Sequence, residues 1–286
     1  MTQVLQQSYQ GERSLFQAQD MQLDHCRFHD GESPLKESRN IHLTSCLFQW
    51  KYPLWYSKDI HMEHCTLFEE ARSGIWYTKH ITIKHSTIQA PKTFRRSEAI
   101  TLEHCEMLHA QETFWSCKGI TLKHVAANGD YFAMNAQDII AEDFTLNGNY
   151  AFDGARNITI KNARLLSKDA FWNCENVTVI DSEIYGEYLG WNSKHITFEN
   201  CTIQSLQGMC YMDNVTLINC RLIDTTLAFE YSNVNAQIEG TIDSVKNPIK
   251  GIIQAHEIKE LILDDRQIDF ERVHILTEEQ DDKATV

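Results

Sequence analysis

The sequence predicts an all-β fold, a single-stranded right-handed parallel β-helix of about twelve coils with three short strands per coil. Three observations carry this prediction. One apolar position recurs every 19 to 21 residues, and apolar and polar residues alternate with period two around it. Asn, Asp and His also recur at one fixed point of the repeat, where the chain must turn.

The repeat is built around an apolar anchor residue. Segments such as IHMEHCTLF, which begins at Ile60, and ITFENCTIQ, which begins at Ile196, are versions of one unit. The residue two positions after each anchor is also apolar, so the anchor strand has one inward face. The anchors are Met21, Ile41, Ile60, Ile81, Ile100, Ile120, Ile139, Ile158, Val177, Ile196 and Val215.

A corner is predicted four residues after each anchor, because Asn, Asp and His are the non-glycine residues most enriched at positive φ. The residue before each anchor, such as Asn40 or Asp59, marks a second corner. Stacked corner histidines could share a metal ion, but Asp and Asn replace them in later coils, so we favour a turn and predict no metal site. The corner residues are His25, Ser45, His64, His85, His104, His124, Asp143, Asn162, Asp181, Asn200 and Asn219.

Cysteines occupy an inward position directly after the corner, where a buried thiol packs as a small hydrophobe. Adjacent coils place Cys46 and Cys65 within disulfide reach, but we favour packing without a bond. A catalytic thiol is disfavoured, because burial away from positive charge raises the pKa of a cysteine. The cysteines at this position are Cys26, Cys46, Cys65, Cys105, Cys201 and Cys220.

The repeat predicts the domain organisation. Residues 15–242 form the β-helix, residues 1–14 an N-terminal cap, and residues 243–276 an irregular C-terminal coil and cap. Caps are expected because the ends of stacked coils expose strand edges. Residues 277–286 are predicted to be a disordered tail.

Composition excludes several classes of function. The formal net charge of −14 argues against nucleic-acid binding, which needs a local excess of Lys and Arg. No apolar stretch is long enough to span a membrane, and the N-terminus lacks a signal peptide. Nine cysteines without such a leader indicate free thiols in a reducing compartment, so a cytoplasmic location is predicted, and no cofactor is predicted.

The coil N-[IV]-T-[LIVF]-x-N-[CS]-x-[IL], as in NVTLINCRL at 214–222, resembles that of the pectate-lyase-like right-handed β-helix superfamily. The chain is most similar to an uncharacterised bacterial family of small β-helix proteins, a domain of unknown function. The resemblance implies the fold and brings no established reaction. Lyases and hydrolases of the wider superfamily would imply calcium-bound carboxylates or clustered aspartates, and no such cluster stands in this sequence.

The main functional signal lies five residues before the anchor, one position after a consistently apolar residue such as Phe114 or Phe171. If this position faces outward, it forms a row of indoles that suits an elongated carbohydrate. If it faces inward, the indoles fill the core, and the sequence leaves both arrangements open. The position holds Trp55, Trp76, Arg95, Trp115, Met134, Asp153, Trp172 and Trp191.

A variable loop beside this row repeats as GDYF, GNYAF, SKDAF and GEYL, and brings acids, a lysine and tyrosines into register. Asp153, Asp169 and Glu187 are the candidate acid–base residues. The PKTFRR loop could also hold a carboxylate or phosphate. The candidate substrate-binding residues are Trp55, Trp76, Arg95, Trp115, Tyr131, Tyr150, Trp172, Tyr188 and Trp191.

Two functions are compatible with these features. The first is a β-helix that binds, and could also process, a saccharide along the aromatic face. The second is a non-enzymatic scaffold that presents repeated side chains to a protein partner or to a second copy of itself. The sequence does not decide whether the protein is an enzyme.

Overall fold

The computed structural model describes residues 1–278, which fall into two compact units, one of residues 1–147 and one that begins at Gly148. Each unit is a parallel β-helix with almost no helical structure, as the repeat predicted. Most of the predicted tail, residues 279–286, lies outside the described residues. None of the described residues form a helix that is long and apolar enough to cross a membrane.

In the first unit, the anchor strands pair in parallel and in register, so that Ile60 lies between Ile41 and Ile81. A single-turn 3-10 helix, Glu69–Ala71, interrupts one loop. The strands are β1 (Thr2–Leu5), β2 (Ser8–Tyr9), β3 (Gln19–Asp24), β4 (Arg27–Phe28), β5 (Arg39–Thr44), β6 (Leu47–Phe48), β7 (Lys58–Glu63), β8 (Thr66–Leu67), β9 (Ile75–Trp76), β10 (Lys79–Lys84), β11 (Thr87–Ile88), β12 (Phe94–Arg95), β13 (Glu98–Met107), β14 (Lys118–Asn128) and β15 (Gln137–Asn147).

The second unit repeats this arrangement, with Val177 between Ile158 and Ile196. A second 3-10 helix, Phe270–Arg272, precedes its last strand. The strands are β16 (Arg156–Leu166), β17 (Glu175–Ile180), β18 (Glu183–Tyr185), β19 (Lys194–Glu199), β20 (Thr202–Gln204), β21 (Asp213–Leu222), β22 (Asn233–Ile238), β23 (Thr241–Lys246), β24 (Lys250–Ala255), β25 (Glu257–Ile262) and β26 (Val273–Thr277).

The two units contain eight and seven anchor-type strands, which gives fifteen coils where about twelve were predicted. The additional coils come from segments whose sequences depart from the repeat. Residues Thr2–Leu5 pair in register with β3, and β24 and β26 continue the parallel pairing beyond residue 242. Parallel strand pairing therefore extends into segments that lack the apolar repeat, because the hydrogen bonds between strands need extended backbone and not a particular side chain. Whether the terminal segments act as caps remains a prediction.

The interior consists of stacked rows of side chains, one from each coil. The anchors Ile41, Ile60 and Ile81 are at most 1% exposed, and phenylalanines one coil apart stack face to face, as Phe94 and Phe114 do at 4.7 Å. All nine cysteines are buried and free, as predicted. Burial raises the pKa of Cys117 to about 12, so this thiol is a packing residue and not a nucleophile.

Both predicted corners are confirmed by positive φ values, such as 55° at His64 and 56° at Asp59. Two further positive-φ positions, four and eight residues before the anchor, were not predicted; Tyr56 and Tyr52 are examples at 56° and 61°. They make the third side of most coils a tight turn; among residues 1–278, β9 pairs with β12 there, and β23 pairs with β25 near the C-terminal end. Two left-handed residues within five positions leave no room for a longer ladder.

Candidate functional site

The candidate site lies on this third side, where each turn places one residue of the predicted indole row. In the turn of Tyr52 to Tyr56, Leu54 is fully buried and Trp55 is half-buried. The same alternation occurs at Phe171 and Trp172 in the second unit. The indoles therefore lie neither in the core nor fully in solvent, and each turn aims a ring along the surface of its unit.

In the first unit, the rings of this row stack on one another. The indoles of Trp55 and Trp76 lie 5.3 Å apart with an interplanar angle of 8°. Arg95 continues the stack, because its Cζ lies 4.6 Å from the ring centroids of both Trp76 and Trp115. A guanidinium is planar and charged, so it replaces an indole between two aromatic faces and adds a cation–π attraction on each side.

Each indole N–H of this row is bonded within the protein. Trp76 Nε1 donates to the carbonyl of Lys92 at 2.8 Å, and Trp172 Nε1 donates to that of Tyr188 at 2.7 Å. Trp55, Trp115 and Trp191 donate in the same way to Ser73, Tyr131 and Gln207, respectively. Because the rings cover each other's faces and the N–H groups are bonded, the row offers ring edges to solvent at most positions.

The PKTFRR loop already holds a carboxylate of the chain itself. Glu112 Oε2 lies 3.1 Å from Lys92 Nζ and 3.4 Å from Arg95 Nη2. Arg95 Nε is buried and has no hydrogen-bond partner among the described residues. The loop therefore has the cationic side chains of an anion site, as the sequence suggested. Lys92 and Arg95 are, however, already ion-paired with Glu112.

In the second unit, Trp172 and Trp191 stack at 5.7 Å with an angle of 12°. The row continues through Tyr211, 5.2 Å from Trp191, and Tyr231, 5.4 Å from Tyr211, at larger tilts. The coil that precedes Trp172 carries Asp153 at the same position, half-buried. The stack thus ends at a short, charged side chain.

A row of polar side chains follows the indoles of the second unit. Asn173 Nδ2 donates to Asp153 Oδ1 at 2.8 Å, and Asn192 Nδ2 donates to Asn173 Oδ1 at 2.8 Å. Both asparagines are exposed and have positive φ, 55° and 56°, which explains why this residue type is tolerated there. We call Asp153, Asn173 and Asn192 the amide row.

The three candidate acid–base residues lie in different environments. Asp169 is 2% exposed, and burial raises the pKa of its carboxyl, opposed by the charge of Lys168 and a hydrogen bond from Tyr150. Glu187 is exposed and ion-paired with Lys168 at 3.2 Å. Asp153 belongs to the amide row. No two of them share a hydrogen bond in the described structure.

The predicted tyrosines pack their edges against the indoles. Tyr131 meets Trp115 at 6.4 Å in the first unit. In the second unit, Tyr150 meets Trp172 at 6.4 Å and Tyr188 meets Trp191 at 5.5 Å. These contacts fix the ring orientations on both rows.

Sequence reasoning missed several residues of these rows. Tyr56 and Tyr77 stack at 4.8 Å beside the indoles of the first unit, and Tyr211 and Tyr231 extend the second. A usable signal existed, since aromatic residues at 56 and 77, and at 191, 211 and 231, recur at the coil spacing. Among residues 1–278, no group of three or more His, Cys, Asp or Glu side chains is placed to enclose a metal ion.

Residues 2–276 match the model of a protein family described as a protein of unknown function, DUF3737. This match spans nearly the whole chain and confirms the expected resemblance to an uncharacterised family of β-helix proteins. No curated protein matches the chain.

Several solved structures are similar to the chain at low identity. The A-module of mannuronan C-5 epimerase AlgE6 from Azotobacter vinelandii is 10% identical, with a TM-score of 0.38, over 96% of this chain and 89% of that one. The tailspike protein of E. coli bacteriophage HK620 is 9% identical, with a TM-score of 0.40, over 94% and 72%. Likeness at this distance carries no inference about what this chain binds.

Proposed function

The chain belongs to the DUF3737 family, whose description names no activity, and from its own surface we infer that it binds a saccharide along the second unit. The observation that carries this proposal is the pairing of two rows at the coil spacing, the aromatic row of Trp172, Trp191 and Tyr211 and the amide row beside it.

Sugar rings combine C–H patches with hydroxyl groups, and binding sites for them combine aromatic surface with hydrogen-bonding amides. Tyr211 is 45% exposed and tilted by 57° from Trp191, so part of its ring face is open to solvent. Asn173 and Asn192 are exposed in the two preceding coils, and amides can both donate to and accept from hydroxyls. Repetition at a fixed spacing favours an extended ligand with its own repeat.

The geometry favours binding over cleavage. Glycoside cleavage needs two carboxyl groups that face one bond, one as an acid and the other as a base or nucleophile. Here Asp169 is buried, Glu187 is paired with Lys168, and Asp153 accepts from Asn173. The proposed function is therefore that of a binding protein.

The scaffold function remains a second candidate, favoured by the indole hydrogen bonds. Because Trp115 and Trp172 each donate to a backbone carbonyl, these residues stabilise their units whether or not a ligand binds. A scaffold would present the exposed tyrosines to a protein partner or to a second copy of the chain, and would have no affinity for glycans.

The test uses the full chain on a glycan array, followed by calorimetric titration with the best oligosaccharide. Tyr211→Ala and Asn192→Ala should each lower the affinity by about tenfold, since each loses one ring or amide contact. Tyr56→Ala is the matched control, because Tyr56 is 50% exposed and belongs to the first unit, which contains no residue of the amide row.

An array without any bound glycan would overturn the proposal. So would an equal loss of affinity in the Tyr56→Ala variant, because the binding surface would then not be the one in the second unit. Concentration-dependent light scattering with no glycan binding would instead support the scaffold function.

A further inference from the structure

Four histidines occupy the same corner of four successive coils in the first unit. Their imidazoles stack at centroid distances of 5.3, 4.9 and 4.5 Å, with interplanar angles of 19°, 6° and 11°. All four side chains are exposed. We call this set the imidazole row, and it consists of His64, His85, His104 and His124.

Turn geometry explains why histidine is tolerated at this corner but not why four follow one another. The four residues have φ values between 48° and 55°, which Asn and Asp adopt as readily. In the second unit, the coils that follow the repeat have Asn162, Asp181, Asn200 and Asn219 at this corner. The run of imidazoles is therefore an additional feature of the first unit.

The two central rings have nitrogens that are free to bind a ligand. Within residues 1–278, the side chains of His85 and His104 form no hydrogen bond and no ion pair, and their rings stack on the neighbouring imidazoles. At the end of the row, His124 Nδ1 lies 3.1 Å from Asp143 Oδ2. A carboxylate at Nδ1 holds the proton there and leaves the Nε2 lone pair free, the arrangement that orients metal-binding histidines.

We propose that neighbouring imidazoles of this row bind a divalent transition-metal ion such as Zn²⁺, Ni²⁺ or Cu²⁺, with water as the remaining ligands. Imidazole suits these three ions better than it suits Mg²⁺ or Ca²⁺. The row extends along the surface, so each ion bridges two rings and is not enclosed by three or four.

The spacing fits a bridge between adjacent rings. A metal–nitrogen bond is about 2.0–2.1 Å, so two nitrogens bound to one tetrahedral ion lie about 3.3 Å apart. His104 and His124 are the nearest pair, with centroids 4.5 Å apart, and rotation of two exposed side chains closes the remaining gap. The corners themselves are fixed by the parallel pairing of β13 with β14.

Surrounding charges favour a cation. Glu63 lies 3.8 Å from His64 Nε2, and Asp143 contacts His124, so each end of the row has a carboxylate. The nearby Lys84 is ion-paired with Glu103 at 2.7 Å, which neutralises its charge. Lys123, which directly precedes His124, forms no ion pair among residues 1–278, and its charge opposes a metal ion at that end of the row, where the carboxylate of Asp143 offsets it.

The test titrates Zn²⁺ or Ni²⁺ into the full chain, without an added histidine tag, and follows the heat of binding. The chain carrying both His85→Asn and His104→Asn should lose binding by at least tenfold, because no two remaining imidazoles of the row are adjacent. Asn occupies this corner in other coils, so the fold should tolerate the change, which circular dichroism verifies.

His25→Asn is the matched control. His25 has the same corner position and a carboxylate neighbour, Asp24, at 2.7 Å, but the next corner holds Ser45 and no imidazole. Its substitution should leave binding unchanged. Binding should also weaken as the pH falls, because a ligating imidazole must be neutral.

Three results would overturn the proposal. These are no saturable binding by the wild-type chain, unchanged affinity after the double substitution, and an equal loss after His25→Asn. The first would leave the row as a stack without a ligand, and the other two would place the metal elsewhere on the chain.

Discussion

The two units interrupt their indole rows with opposite charges, at Arg95 in the first and at Asp153 in the second. Arg95 lies flat between Trp76 and Trp115, so the stack continues through it. Asp153 has a shorter, negatively charged side chain, and its carboxylate accepts a hydrogen bond from Asn173. The same repeat position therefore continues the aromatic stack when it holds Arg95 and accepts a hydrogen bond from an asparagine when it holds Asp153.

This difference indicates that the indole row of the first unit serves mainly stability and that of the second unit mainly binding. In the first unit, Arg95 fills the gap between two indoles, and Glu112 neutralises its charge. In the second unit, the row borders exposed amides and ends in tilted, exposed tyrosines. We therefore expect substitutions in the indole row of the first unit to change mainly the free energy of unfolding. Substitutions of exposed residues in the second unit's rows should change mainly the affinity for a ligand.

The largest effect is expected from Arg95→Ala. The substitution removes two cation–π contacts and leaves facing indoles without a partner, so the free energy of unfolding should fall by about 1–3 kcal/mol. Urea denaturation followed by tryptophan fluorescence measures it. The matched variant Asp153→Ala, which removes no stacking partner, should cost less.

Two further variants sharpen this prediction. Arg95→Trp puts the residue of the neighbouring coils into the stack and should recover most of the lost stability. Arg95→Lys keeps the charge without the planar group and should recover less. If the lysine variant is as stable as the wild type, charge rather than planarity holds the row together.

A smaller effect is expected from Trp76→Phe and Trp172→Phe. Each variant keeps an aromatic ring but removes the N–H that donates to a backbone carbonyl. The loss should be about 1–2 kcal/mol in each unit, because the carbonyl is left without its donor. Calorimetric unfolding of the two variants measures this loss. If only one variant is destabilised, the two hydrogen bonds do not contribute equally to stability.

The smallest effect is expected from Asp169→Asn, and it depends on pH. Burial raises the folded-state pKa of Asp169, so the carboxyl favours folding when protonated, and that contribution is lost as the pH rises through the folded pKa. The variant should therefore gain stability relative to wild type at neutral pH and lose this advantage in acid. Unfolding midpoints at several pH values measure it, and a difference that does not vary with pH would contradict the raised pKa.

Much of the fold could be predicted because its signals are local and repeated. His64 and Cys65 were assigned to a corner and to the interior from residue type and position alone, and the φ of 55° at His64 and the burial of Cys65 confirm both. The coil count was underestimated because the anchors of β1, β24 and β26 lie in atypical sequence.

The candidate site was less predictable. The residues of the indole row were identified, but Tyr211 was missed because it stands one position later in its coil than the indoles do. The burial of Asp169 was also not foreseen, since an acid in a variable loop is ordinarily solvated.

By itself, the sequence determined the coil length, the inward rows and the two corners, because strand alternation and the tolerance of positive φ depend on neighbouring residues of the same segment. Only the tertiary structure decided which way the indoles lie, what their N–H groups bond and which carboxylate is buried. Those outcomes depend on the adjacent coil, which supplies the stacking ring, the accepting carbonyl and the cover from water.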